Sequence, residues 1–269
     1  MMMRSLAVLA MAVVLLWTGT AQATSYLELR YSYCGPTEAA MVWRNTNVYE
    51  GNVYTGVYNL DLNPAPGSYC GDEAAALVAQ AGAGHIIASF CMDVRQDAPQ
   101  GTYQRYSIGA PEDAPVGGGN TPMGEAKADD LRRLFGGHWT GNFTNAEAGA
   151  FQAAVWEIIN ETSGDYNVYT GAFHIVETWG SGWGNLANAY LSNLEANALN
   201  MQLAALTNEL SQDYALTVPG SGGQHNELPV PEPLTAVGML LGVGCLVRYV
   251  RQRSAAWSGF VSRGPYVRV

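Results

Sequence analysis

HIIASFCMDV, His85 to Val94, and NAEAGAFQAAVWEIINE, Asn145 to Glu161, decide the architecture, because each carries a clear period and the two periods differ. In the first, Ile86, Ala88, Phe90, Met92 and Val94 alternate with Ser89, Cys91 and Asp93. This predicts a strand over 85–94 with Cys91 on the face opposite the apolar one, where only a second layer would cover it. In the second, Phe151, Val155 and Ile158 recur at helical spacing, and Thr144 with Glu147 has the form of a capping box, so a helix is predicted over 145–161. Gln152 falls on an adjoining stripe with Trp156 and Ile159.

Outward from these stretches, the first half of the chain is rich in Tyr, Val and Gly, with alternation at 51–60, and reads mainly as strands. The second half reads mainly as helix. Helices are expected at 72–81, 123–135, 145–161 and 185–210, with one further strand near 168–176. A β-rich, sandwich- or barrel-like N-terminal half and a packed helical C-terminal section thus make one domain over 24–218. Residues 219–233 turn rich in Pro, Gly and Ser, as a linker would.

The ends read as addresses. Arg4, the apolar run from Leu6 to Trp17 and Ala21-Gln22-Ala23 have the three parts of a secretory signal peptide over 1–23. Near the other end, Pro231-Glu232-Pro233 precedes an apolar stretch from Leu234 to Val247 and then Arg248, Arg251 and Arg253. Of the chain's 13 basic residues, six (Arg4, Arg248, Arg251, Arg253, Arg263 and Arg268) lie outside 24–233, while all 23 acidic residues lie within it. So acidic a body repels nucleic acid and anionic lipid, and nucleic-acid binding is not expected.

Three cysteines lie in this body, and Cys245 lies in the tail. Cys34 and Cys70 share the local sequence Ser-Tyr-Cys-Gly and are the expected disulfide pair in an oxidising compartment, which leaves Cys91 as the odd thiol. Its alternatives are an inert buried cysteine and a nucleophile. Gln152, between Phe151 and Trp156 on an apolar helix, carries an amide that needs a partner once buried. Were the Cys91 sulfur to displace ammonia from Gln152, the product would be an internal thioester, a latent acyl group able to join an amine or hydroxyl. That chemistry needs a thiolate, a carboxamide at attack distance and donors to the oxyanion, and the sequence does not identify the donors. Phe90, Phe151 and Trp156 would limit water. Asp93 either positions an incoming nucleophile and takes its proton or is a turn residue after the strand. The chain's single lysine, Lys127, leaves few amines to quench such a bond, and an arginine-favouring genome would give the same count.

GNVYTGVYNL at 51–60, Phe90-Cys91-Met92-Asp93, FQAAVWE at 151–157 and the expected helix at 185–210, in this order, resemble the thioester domains of bacterial surface proteins. The resemblance implies an α+β fold, sulfur from Cys91, an acyl group from Gln152, no cofactor, and single-turnover attachment in place of turnover catalysis. The C-terminal arrangement over 229–253 resembles the PEP-CTERM sorting signal, although residues 254–269 run on beyond the arginines. It implies processing by an exosortase-type enzyme, transient anchoring in the inner membrane of a Gram-negative bacterium, and delivery to the cell surface or biofilm matrix. Polysaccharide hydroxyls, protein lysines and small amines are then the candidate partners. An ordinary C-terminal membrane anchor is the alternative for the tail.

Two other functions compete. Tyr33-Cys34-Gly35-Pro36-Thr37-Glu38-Ala39-Ala40-Met41 resembles the nucleophile segment of papain-like cysteine peptidases, in which Cys34 would head a helix and His85 or His174 would act as base. A non-reactive structural surface protein is the other. No histidine and cysteine spacing of the zinc kind is present, so no metal is expected.

Overall fold

The alternating first half forms β1 (Tyr26–Arg44), β2 (Val48–Leu62) and the short β3 (Tyr69–Cys70), followed by α1 (Asp72–Ala81), β4 (Ile86–Cys91) and β5 (Gln104–Gly109). The second half supplies α2 (Glu125–His138), α3 (Asn145–Asn160), β6 (Phe173–Glu177), α4 (Trp183–Ser192), β7 (Leu203–Thr207) and β8 (Tyr214–Thr217). The computed structural model describes residues 25–44, 48–116, 121–177 and 182–219. The expected signal peptide, nearly all of the linker, the sorting signal with Pro231, Glu232, Pro233, Arg248, Arg251 and Arg253, and the 254–269 extension lie outside the described residues.

Among the described residues all strand pairings are antiparallel and belong to one sheet. In the order β2-β4-β8-β7-β5-β1 each strand bonds to the next, and β1 also pairs with β2, so six strands close a ring of pairings. β3 and β6 add to opposite ends of β1. The register that matters most for function places Cys91 opposite Tyr214 and Phe90 opposite Ala215 on β4 and β8.

α3 explains how the layers join. Its N-terminus is held by the expected capping box: Thr144 N–H donates to Glu147 Oε2 at 2.8 Å, and Glu147 N–H donates to Thr144 Oγ1 at 3.3 Å. Every residue from Ala148 to Ile159 is buried, so the helix is enclosed on all sides by β1, β2, β4, α2 and α4. Phe90, on β4, sits among Phe135, Trp139, Phe143 and Phe151, with ring centroids 4.4–6.0 Å from its own. α3 and α2 thereby lock onto the strand that carries Cys91.

Three expectations need correction. The helix expected over 185–210 ends at Ser192, and the chain continues through a 3-10 turn, Leu194–Ala196, into β7. Asn193, whose side chain donates to Ala189 O at 3.2 Å, competes with the helix for its own carbonyl. Leu203–Thr207 gains more by bonding to β5 and β8 on both edges than a helix would give it. The second half is therefore mixed, with β6, β7 and β8 among its helices. The Cys34–Cys70 disulfide does not form, and both cysteines are free thiols. Cys70 pairs with Tyr26, and Cys34 lies farther along β1, roughly 26 Å of extended strand away, against the ~7 Å limit between Cα atoms of a disulfide. Finally, Cys34 lies within a strand and does not head a helix.

Candidate functional site

β4 ends on Cys91, which is 0% exposed. The second layer that its alternation left open is α3 together with the segment entering β8. Cys91 N–H donates to Gln152 Oε1 at 2.8 Å, and Gln152 Nε2 donates to Cys91 O at 2.8 Å. One carboxamide thus satisfies both backbone groups at the end of β4, as a neighbouring strand would. Gln152, expected to react with the sulfur, binds the backbone beside it with both ends of its amide.

The sulfur has other partners. Trp156 Nε1–H donates to Cys91 Sγ at 3.3 Å, and Gln212 Nε2 approaches Sγ at 2.7 Å. The thiol donates to Asp93 O at 3.1 Å. Burial pushes the Cys91 thiol well up, and the Trp156 N–H is the main opposing influence. Gln212 is held firmly from its own backbone: its N–H donates to Asp97 O at 3.1 Å, and its carbonyl accepts from Tyr106 Oη at 3.1 Å. Met92 N–H also donates to Asp213 O at 2.8 Å, which ties the two segments together. Gln212 Oε1 is buried without a hydrogen-bond partner among the described residues.

Asp93 is buried, and its Oδ1 accepts from Arg95 N–H at 2.8 Å, which is the geometry of a turn residue after the strand. A cavity of about 300 Å³ opens above this site. Trp156 and Gln212 form part of its lining, with Cys34, Tyr31, Tyr54 and Tyr58 among the other walls. Cys34 is half-buried, and burial raises its pKa.

Neither histidine reaches Cys34. Cys34 pairs with Tyr58, whereas His85 O accepts from Leu62 N–H, roughly 13 Å farther along β2. His174 pairs with Trp43, about 30 Å along β1 from Cys34. Among the described residues no cluster of His, Cys, Asp and Glu is placed to hold a metal ion, and no helix is long and apolar enough to cross a membrane. Lys127, the single lysine, donates from Nζ to Ile159 O at 2.6 Å.

Cys91, Phe90, Phe151, Gln152 and Trp156 were legible in sequence and meet in space. Gln212 was not singled out. Its signal is the turn-forming run Asn208-Glu209-Leu210-Ser211-Gln212-Asp213 between two short apolar segments, a hairpin pattern hidden inside the expected helix and just beyond it. Comparison with family models, curated proteins and solved structures finds no match for this chain.

Proposed function

We propose that this protein is an exported surface or matrix protein that attaches itself covalently to a partner amine or hydroxyl through an internal thioester between Cys91 and Gln212. The observation that carries the reading is the 2.7 Å approach of the Gln212 carboxamide to Cys91 Sγ at a buried position. In the reaction Sγ adds to Gln212 Cδ, the S–C bond forms, the C–N bond breaks, and Nε2 leaves as ammonia with the thiol proton. Burial disfavours the thiolate, so the rate rests on proximity and on the Trp156 N–H at the sulfur. Gln152 becomes the clamp that fixes the Cys91 backbone, because both ends of its amide are already engaged. The aromatic cluster around Phe90 and Phe151 keeps bulk water from one side, and the cavity beside Trp156 gives a nucleophile its route.

Export, exosortase processing and membrane anchoring rest on the terminal sequence patterns, and the acidic body supports partners other than nucleic acid. The chemistry requires no cofactor. The test is intact mass of the purified protein under non-reducing conditions, with and without methylamine. Wild type is expected one ammonia lighter than its sequence and to gain methylamine at Gln212, whereas Cys91→Ala and Gln212→Ala keep full mass and take up none. A deficit that survives in Gln212→Ala but vanishes in a folded Gln152→Ala would return the acyl group to Gln152. Full mass and no adduct in wild type would leave the non-reactive surface protein, a reading that the raised thiol pKa of Cys91 favours.

A further inference from the structure

Resting on the Cys91–Gln212 reading, we propose that the hydroxyl of Tyr214 is the oxyanion donor of the site, the group that the sequence left unidentified. Cys91 and Tyr214 face each other across the antiparallel β4–β8 pair, so their side chains leave the sheet on the same face, with Cβ atoms about 5 Å apart. Tyr214 is 0% exposed, and its hydroxyl has no hydrogen-bond partner among the described residues. Gln212 Oε1, on the carbonyl that would react, is also buried and unpartnered. A buried donor without an acceptor therefore stands on the residue paired with Cys91 across β4 and β8, and the carboxamide that touches the sulfur carries a buried acceptor without a donor. Buried polar groups are nearly always paired, and exceptions gather where chemistry needs them.

The neighbouring donors already have acceptors, Tyr58 included, although its hydroxyl also meets the Gln212 side chain. Tyr58 Oη donates to Tyr54 O at 3.1 Å, and Tyr106 Oη donates to Gln212 O at 3.1 Å. Cys91 N–H is taken by Gln152 Oε1 at 2.8 Å, and Trp156 Nε1–H points at Sγ. The rings of Tyr58 and Tyr106 pack 5.8 Å and 6.0 Å from that of Tyr214 and hold it in place. As Sγ adds to Cδ, negative charge grows on Oε1 and the Tyr214 O–H donates to it. When the C–N bond breaks and ammonia leaves with the thiol proton, Oε1 returns to a carbonyl and Tyr214 keeps its own proton. Burial pushes the tyrosine pKa up, so the hydroxyl stays a donor. The same contact acts again when an amine or alcohol attacks the thioester.

The reaction can be reset, because excess ammonia reopens the thioester to Cys91 and Gln212. Purified full chain is treated with ammonia, desalted, and followed by intact mass as it loses ammonia again. Tyr214→Phe is expected to lose it about 100-fold more slowly than wild type, the scale of one missing oxyanion donor. Its thermal midpoint is expected to equal or exceed wild type, since the hydroxyl removed has no partner in the folded state. Tyr106→Phe, which loses a made hydrogen bond, is expected to melt lower and calibrates the comparison. Ammonia loss at the wild-type rate in Tyr214→Phe overturns the proposal, as does a midpoint lowered like that of Tyr106→Phe or a failure to fold. Wild type that never loses ammonia would instead sink the thioester reading and this inference with it.

Discussion

Glu157 is enclosed on α3, with Oε1 accepting from Asn167 N–H at 2.7 Å and Oε2 without a partner among the described residues, and burial pushes its pKa up to about 8. Asp213, beside the site, is raised to about 7 by burial and then by the charge of Asp93. Both values lie above the ordinary ones of 4.5 and 3.8, so between these limits the folded chain binds more protons than the unfolded chain. These two groups therefore favour the fold most at acidic pH, and their contribution is lost as pH rises through about 4 to 8. Urea midpoints are expected to fall from pH 5 to pH 8 and to fall less in Glu157→Gln, whose amide oxygen can still accept from Asn167. A variant that tracks wild type at every pH would remove Glu157 from this account. At this scale Cys91, Gln152 and Trp156 were legible because their residue types and neighbours mark chemistry. Gln212 was not, because its importance lies in a contact with a sulfur remote in sequence.

α3 was the most legible element, since its capping box and its period agree. What the period could not give is its closeness to β1. A Cβ on Gly149 would stand 2.9 Å from Glu38 Cβ and 3.0 Å from Glu38 Cγ. Replacing a helix-interior glycine by alanine ordinarily stabilises by roughly 0.5–1 kcal/mol. Gly149→Ala is expected to destabilise instead, because the near end of the Glu38 side chain cannot swing aside without moving β1. Chemical denaturation checks the sign, and a gain in stability would show that the two layers can part at little cost. The misread helix at 185–210 has the converse cause. Its apolar residues suit either element, and open strand edges on β5 and β8 made the choice.

Closure of the ring of strands sets which cysteines meet. Cys34 and the β1 partner of Cys70, Tyr26, are separated along β1, while Cys34 lines the cavity beside Trp156 and Gln212. Iodoacetamide applied without reductant is expected to label Cys34 and Cys70 and to spare Cys91, which is fully buried. Peptide mapping reads the outcome, and a Cys34–Cys70 crosslink in the native protein would contradict the register of β1.

By itself the sequence determined the strands of the first half, helix α3 with its cap, the acidic character of the body and the two motifs that supply Cys91 and Gln152. These depend on local period, composition and side-chain chemistry, which a linear chain carries. Only the tertiary structure decided which carboxamide touches the sulfur, which cysteines stay apart and which buried tyrosine hydroxyl is left without a partner. Each of those is settled by strand register and by layers packing across long sequence separations, where a hydrogen bond made to one partner is withheld from another.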